Sequence, residues 1–226
     1  FFFIFLNSSF AQEKLVVGTY DSFSAEWGPG PIIEEKFEEI CNCDLQFIST
    51  SQAGTLNNEI FLNGKDVILG VEMHEFNYSI EDWHEYDHGF FSFIYDSSKL
   101  TNPPKTFEEL VNREDLKIVV QDPRTSPVGI GLLRWMKSIF KDDFSIMLKQ
   151  LDQNIITYSP GWSEAYGIFL EGNADLVLSY STSPFYHQEY ENEYKYKSLN
   201  FAEGHLATRE IAVSYTHLRA HETSGY

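Results

Sequence analysis

Two groups of residues in this 226-residue chain have types and spacing that can carry chemistry. The first is His84-Glu85-Tyr86-Asp87-His88, an H-E-x-x-H sequence. On a helix it would set two imidazoles on one face, with the glutamate beside a zinc-bound water, as in a zinc hydrolase. The context argues against a helix. Gly89 follows at once, Phe90, Phe91, Phe93 and Ile94 read as a strand, and no helical stripe precedes Trp83. A third ligand is not evident, although His74 lies upstream. The second group is aromatic and hydroxylic: Trp162, then Tyr180, Ser181, Thr182, Ser183 and Tyr186. Together these would make a slot with ring walls and a hydroxyl floor, suited to stacking a flat cation. The same rings would also serve as ordinary packing.

The surrounding elements decide whether such residues can meet. Residues 174–179 form a short apolar run that predicts a buried strand ending at Tyr180. Before it, Pro160-Gly161 breaks the chain, Ser163 is placed as an N-cap, and Tyr166, Ile168, Phe169 and Leu170 give a helix an apolar surface. Glu171-Gly172-Asn173 is its stop. A similar arrangement occurs at residues 116–129, where a strand runs into Gln121-Asp122-Pro123-Arg124-Thr125-Ser126-Pro127. A helix follows to about Phe140. A loop rich in hydroxyls at a helix N-terminus suits an anion, with Ser126 as donor or as plain cap. The N-terminal part alternates strand and helix. Residues 14–19, 44–50 and 67–71 predict strands; Ile33, Phe37 and Ile40 mark one helical face; residues 55–63 predict a second helix. That β-α-β-α-β order predicts a parallel sheet with right-handed crossovers. In open α/β sheets, ligands bind where strands end, and Tyr20, Ser126 and Tyr180 all stand at strand ends.

Composition narrows the partners. Sixteen Lys and Arg against 34 Asp and Glu give a net charge of −18, which opposes binding to nucleic acid or an anionic membrane. No nucleotide-binding glycine loop or G-x-S-x-G elbow is present. Residues 1–11 combine an apolar run with Ser9-Phe10-Ala11, which reads as the end of a secretory signal peptide; a buried strand is the alternative. Export would permit disulfides, and the redox state of Cys41 and Cys43 is open at this point. Residues 214–226 lack the pattern of what precedes and are expected to be a non-native tail.

The segments YDSFSAEWGPGP (20–31), CNC (41–43), QDPRTS (121–126), GIGLLRWM (129–136), GWSEAYGIFLEG (161–172), DLVLSYSTSPFYH (175–187) and NFAEGH (200–205) resemble the periplasmic thiamine-binding proteins, the solute-capturing subunits of thiamine ABC transporters. The resemblance runs from Lys14 to about Val213. It implies a type II periplasmic binding fold of the α/β class: two lobes with parallel-rich sheets, joined by crossover strands. Lobe one would take residues 12–87, lobe two 88–204, and a return crossover 205–213. The C-terminal part of lobe one would be missing, leaving apolar surface uncovered.

It also implies a non-enzymatic, monomeric protein without a cofactor, which binds thiamine, thiamine monophosphate or thiamine diphosphate and delivers it to a membrane permease. Carried over by position, the ligand contacts would be Tyr20, Gln52, Ala53, Ser126, Pro127, Trp162, Tyr180, Ser181, Thr182, Ser183 and Tyr186. The phosphate end would lie at Ser126 and Pro127. Gln52-Ala53 stands where the family typically has Asp-Gly, so a carboxylate has become an amide. That change leaves room for the same fold to take another cation, a polyamine or ferric ion.

Overall fold

A computed structural model describes residues 13–75 and 82–214. The expectations for residues 1–11 and 215–226 lie outside them, and Ser214 is the last residue of a strand. Nine strands form one continuous sheet: β1 (Glu13–Tyr20), β2 (Cys43–Thr50), β3 (Val67–Glu72), β4 (Trp83–Asp96), β5 (Ile118–Gln121), β6 (Ile155–Ser159), β7 (Leu176–Tyr180), β8 (Tyr196–Ser198) and β9 (Ala207–Ser214). Their order is β2-β1-β3-β9-β4-β7-β5-β6, with β8 beside β4. β1 runs parallel to β2 and β3, and β5 parallel to β6 and β7, as the alternating strand–helix pattern predicts. The connecting helices are α1 (Asp21–Ser24), α2 (Gly30–Cys41), α3 (Glu59–Leu62), α4 (Phe107–Val111), α5 (Pro127–Phe140), α6 (Phe144–Asp152), α7 (Trp162–Leu170) and α8 (Ser183–Tyr190).

Two antiparallel strands join the halves. Residues 83–90 of β4 pair with β9 on the lobe-one side, while residues 91–95 pair with β7 on the other. β4 therefore changes its partner between Phe90 and Phe91, passing from the lobe-one half of the sheet to the lobe-two half. β9 also pairs with β3, so it ties lobe one to the crossover. This is the two-lobed mixed sheet of a type II periplasmic binding fold.

The lobes differ in how well they are filled. In lobe two, Phe93, Phe107, Trp135 and Phe201 are buried against one face of the sheet, with Phe107 and Trp135 rings 4.7 Å apart. The other face is covered by Ala165, Tyr166 and Phe169 of α7. Both faces are dry, so β5 and β7 read as continuous apolar runs. Lobe one has a smaller core of Leu56, Ile68, Val71, Ile211 and Val213. The stripe Ile33, Phe37, Ile40 on α2 is not core: Ile40 is 83% exposed, Ile33 and Phe37 are exposed with it, and so is Ile32 on the same helix. The helix forms where its periodicity predicts, but no described element covers its apolar face. Cys41 and Cys43 form a disulfide at the end of α2.

Local signals explain the boundaries. Pro31 occupies the first turn of α2, where its missing N–H costs nothing. Thr106 caps α4 by accepting from the Glu109 N–H at 2.9 Å. Ser163 is not the cap of α7; Gly161 holds that position, and the Ser163 hydroxyl is free to reach across the cleft. The second predicted helix, residues 55–63, shrinks to a 3-10 turn at Ala53–Thr55 and the single turn of α3.

Candidate functional site

The strand ends meet in a cleft between the lobes. A cavity of about 260 Å³ opens there, lined from lobe one by Tyr20, Asp21, Trp27, Ser51 and Ala53, and from lobe two by Ser126, Pro127, Val128, Trp162, Tyr180 and Thr182. The crossover region supplies Glu72, Asp87, His88, Gly89, Thr208 and Glu210.

Each wall has its own support. Trp162 opens α7, stacks on Tyr166 at 4.8 Å, and donates its indole N–H to Ser179 Oγ at 2.7 Å. Ser179 in turn meets Ser183 Oγ at 2.7 Å. Tyr180 stacks on Phe91 at 5.5 Å. Tyr20 lies over Gly70, whose φ of +88° marks a bulge in β3. A Cβ there would sit 2.2 Å from the Tyr20 ring. Glycine is required for both its conformation and its size. Ser126 is buried at the N-cap of α5 and makes no side-chain capping bond, so its hydroxyl is not used by the helix. Its own N–H is used, donating to Asp122 O at 2.9 Å. Pro127 has no N–H, which leaves Val128 as the first cavity-lining donor of the helix.

The lobes touch across this cleft. The Gly54 N–H donates to Thr125 O at 3.0 Å, and Ser163 Oγ donates to Asp21 Oδ1 at 3.1 Å. At the rim, Trp27 of lobe one approaches Trp162 and Tyr186 of lobe two, at 6.3 and 5.9 Å between ring centres.

The cavity is acidic. Asp21, Glu72, Asp87 and Glu210 line it, and no lysine or arginine does among the described residues. Tyr20 and Tyr86 hydroxyls both donate to Glu210 Oε2, at 3.0 and 2.7 Å. Burial pushes the Glu210 carboxyl above its ordinary range, against the pull of those two bonds. Burial also raises Glu72, to about 8, with the neighbouring Glu210 and Glu75 adding to it. Tyr180 and Tyr20 are raised well above 10 by burial and by these carboxylates, so both remain neutral phenols.

Seven of the eleven expected contacts line this cavity: Tyr20, Ala53, Ser126, Pro127, Trp162, Tyr180 and Thr182. Four do not. Gln52 shapes the turn, its N–H bonded to Thr50 Oγ1 and its carbonyl accepting from Thr55 Oγ1. The Ser181 N–H is bonded to Phe90 O. Ser183 is held by Ser179 and by the Tyr180 N–H, so it braces Trp162 from behind. Tyr186 stands in an adjoining outer groove with Trp27. Residues missed from sequence are Trp27 and the carboxylates Asp21, Glu72, Asp87 and Glu210. Of these, only Trp27 had a readable signal, an aromatic in a Gly-Pro loop.

The H-E-x-x-H sequence lies on β4, not on a helix. Residues four apart on a strand are about 13 Å apart, too far to share one metal. His84 and Glu85 instead stand beside Asp82 and Arg209, at 3.9 and 3.5 Å. Among the described residues no group of three metal-ligating side chains forms.

Comparison with known proteins decides the family. The chain is 39% identical to the thiamine-binding periplasmic protein of Brucella melitensis over 234 residues, covering 91% of this chain and 70% of that one. It is also 39% identical to the Escherichia coli protein of the same name, covering 90% and 71%. The chain belongs to the thiamine-binding periplasmic protein family. A solved periplasmic thiamin binding protein superposes with a TM-score of 0.84 at 37% identity, covering 90% of this chain and 73% of that one. The periplasmic binding protein P5PA, at 14% identity and a TM-score of 0.70, shares the fold. No family model matches. As a member of a periplasmic binding family, the protein is placed in the periplasm.

Proposed function

We propose that this protein captures thiamine and its phosphates in the interlobe cavity and hands them to an ABC permease, without catalysis and as a monomer. The observation that carries the reading is one cleft holding rings, carboxylates and a helix N-terminus together. Trp162, Tyr180 and Tyr20 offer aromatic faces to a thiazolium, each worth about 0.5–2 kcal/mol. Asp21, Asp87 and Glu210 bring acidic groups to the cavity, and no lysine or arginine among the described residues opposes the ligand's permanent charge there. Ser126 and the first N–H of α5 supply an anion corner for a phosphate. A polyamine would use the carboxylates but not the rings or the anion corner. Ferric ion would need clustered ligands, which are absent among the described residues.

Titration calorimetry with thiamine tests this. The expected result is 1:1 binding, with Trp162 fluorescence quenched on stacking. Heat with spermidine or ferric citrate and none with any thiamine form would end the reading.

A further inference from the structure

Glu72 lies at the end of β3, 2% exposed, and lines the cavity. Its Oε2 accepts from the Thr208 hydroxyl, across the neighbouring crossover strand. Its Oε1 has no hydrogen-bond partner among the described residues. A buried carboxyl oxygen without a partner costs free energy and stands out in a native protein. Here the unused acceptor belongs to a residue that borders the ligand space, on the crossover side, while the anion corner at Ser126 belongs to lobe two. Resting on the thiamine reading, we propose that Glu72 is a further ligand-contact residue: its Oε1 accepts from the ligand's exocyclic amino group, and Glu72 gives up a proton to the solvent as the cation enters.

The charged and titratable groups around Glu72 fit this exchange. Glu210 on β9 and Glu75 in the following turn disfavour a second negative charge, and burial adds the largest push, so the empty site holds Glu72 protonated, with a pKa of about 8. His74, 3.6 Å from Oε2, is itself pushed down to about 4 by burial and Arg134, so it brings no positive charge. Among the described residues Arg134 on α5 is the cation that acts on Glu72, and its pull is the weakest of the named influences. Asp87, Tyr86 and Tyr20 surround Glu210 and add no cation. A thiazolium entering the cavity supplies the missing positive charge. The Glu72 O–H bond then breaks, the proton passes to buffer, and the carboxylate is left paired with a cation.

Calorimetry of thiamine binding to the whole protein, repeated in buffers of different ionisation enthalpy, counts the protons. At pH 7 the expected release approaches one per thiamine, falling toward zero by pH 9. Glu72→Gln should abolish the release and weaken thiamine roughly tenfold or more, as for a lost charge-assisted bond. Glu210→Gln should leave the release in place, and Thr208→Val should change the pH at which release fades. Thiamine heat in the native protein without proton release overturns this proposal alone. So does release that disappears with Glu210→Gln but survives Glu72→Gln. Absence of thiamine heat in the native protein overturns it together with the functional reading beneath it.

Discussion

Gly161 tests whether closure of the lobes is coupled to binding. It precedes Trp162 at the N-cap of α7, with φ −149° and ψ 174°, a conformation any residue adopts. Conformation is therefore not what selects glycine here; space is. A Cβ at Gly161 would lie 2.1 Å from the Ser51 carbonyl oxygen, which belongs to lobe one. Ordinary contact needs about 3.5 Å, and the obstacle is backbone that cannot rotate away. Gly161→Ala should therefore hold the lobes apart by an ångström or more at this edge. Overpacking of this kind costs about 1–3 kcal/mol. If the cost falls on the closed state alone, thiamine affinity drops by roughly 5- to 150-fold. The lobe cores do not include this contact, so the melting temperature of the ligand-free protein should stay within about 2 °C. Calorimetry gives the first quantity and thermal unfolding the second. An affinity within twofold of native, with a lowered melting temperature, would refute the coupling and make Gly161 a folding residue of lobe two.

Three further outcomes follow from the same geometry. Trp162→Ala removes a ring stacked on Tyr166 and should weaken every thiamine form by a similar factor, on the order of 1–3 kcal/mol, in parallel titrations. Ser126→Asp sets a carboxylate in the anion corner and should penalise thiamine diphosphate far more than thiamine. Equal penalties would show that the phosphate lies elsewhere. The pH dependence of stability has a definite sign. Glu72 holds its proton to about pH 8 when folded, against an ordinary value near 4.5, so the native state binds the extra proton between those limits. Its contribution is complete below pH 4.5 and is lost as pH rises toward 8 and beyond. Glu210 acts in the same direction. Melting temperature of the ligand-free protein should fall across that window, and Glu72→Gln should flatten the fall.

What the sequence discloses divides along physical lines. Strand ends could be read because a parallel sheet buried on both faces makes short apolar runs, and the edge where they emerge follows from topology; Tyr20, Ser126, Trp162 and Tyr180 are placed at the cavity this way. The direction of each side chain after the strand could not. Ser181, Ser183 and Tyr186 share the Tyr180 segment, yet none lines the cavity: Ser183 is bonded to Ser179, and Tyr186 packs against Trp27 in the outer groove. The carboxylates were hidden for another reason. Glu72 ends an apolar run, and Asp87 and Glu210 sit in crossover strands where acidic residues look like a solvated face. Only the antiparallel pairing of β3, β4 and β9 brings them together. The stripe on α2 was legible as periodicity, but periodicity does not say what packs against it.

The placement of opposite chemistries also constrains how a ligand can lie. The carboxylates belong to the end of β3, to the middle of β9, to β4 and to the start of α1, while the anion corner belongs to α5 of lobe two. A ligand cationic at its centre gains from the rings between these regions in either direction. A phosphate tail removes that freedom, because the acidic cluster of Glu72, Asp87 and Glu210 offers it no lysine or arginine among the described residues, while Ser126 and the α5 N-terminus do offer donors. Phosphorylated thiamine is thus held to one orientation, tail toward Ser126. Free thiamine carries a neutral hydroxyl where its phosphates carry the tail, so its amino group is the stronger guide, and Glu72 is the buried acceptor left open for it. Orientation in the unphosphorylated ligand therefore depends on the crossover strands, and in the phosphorylated ligand on both regions together. Loss of Glu72 should then scramble the pose of thiamine more than that of its diphosphate.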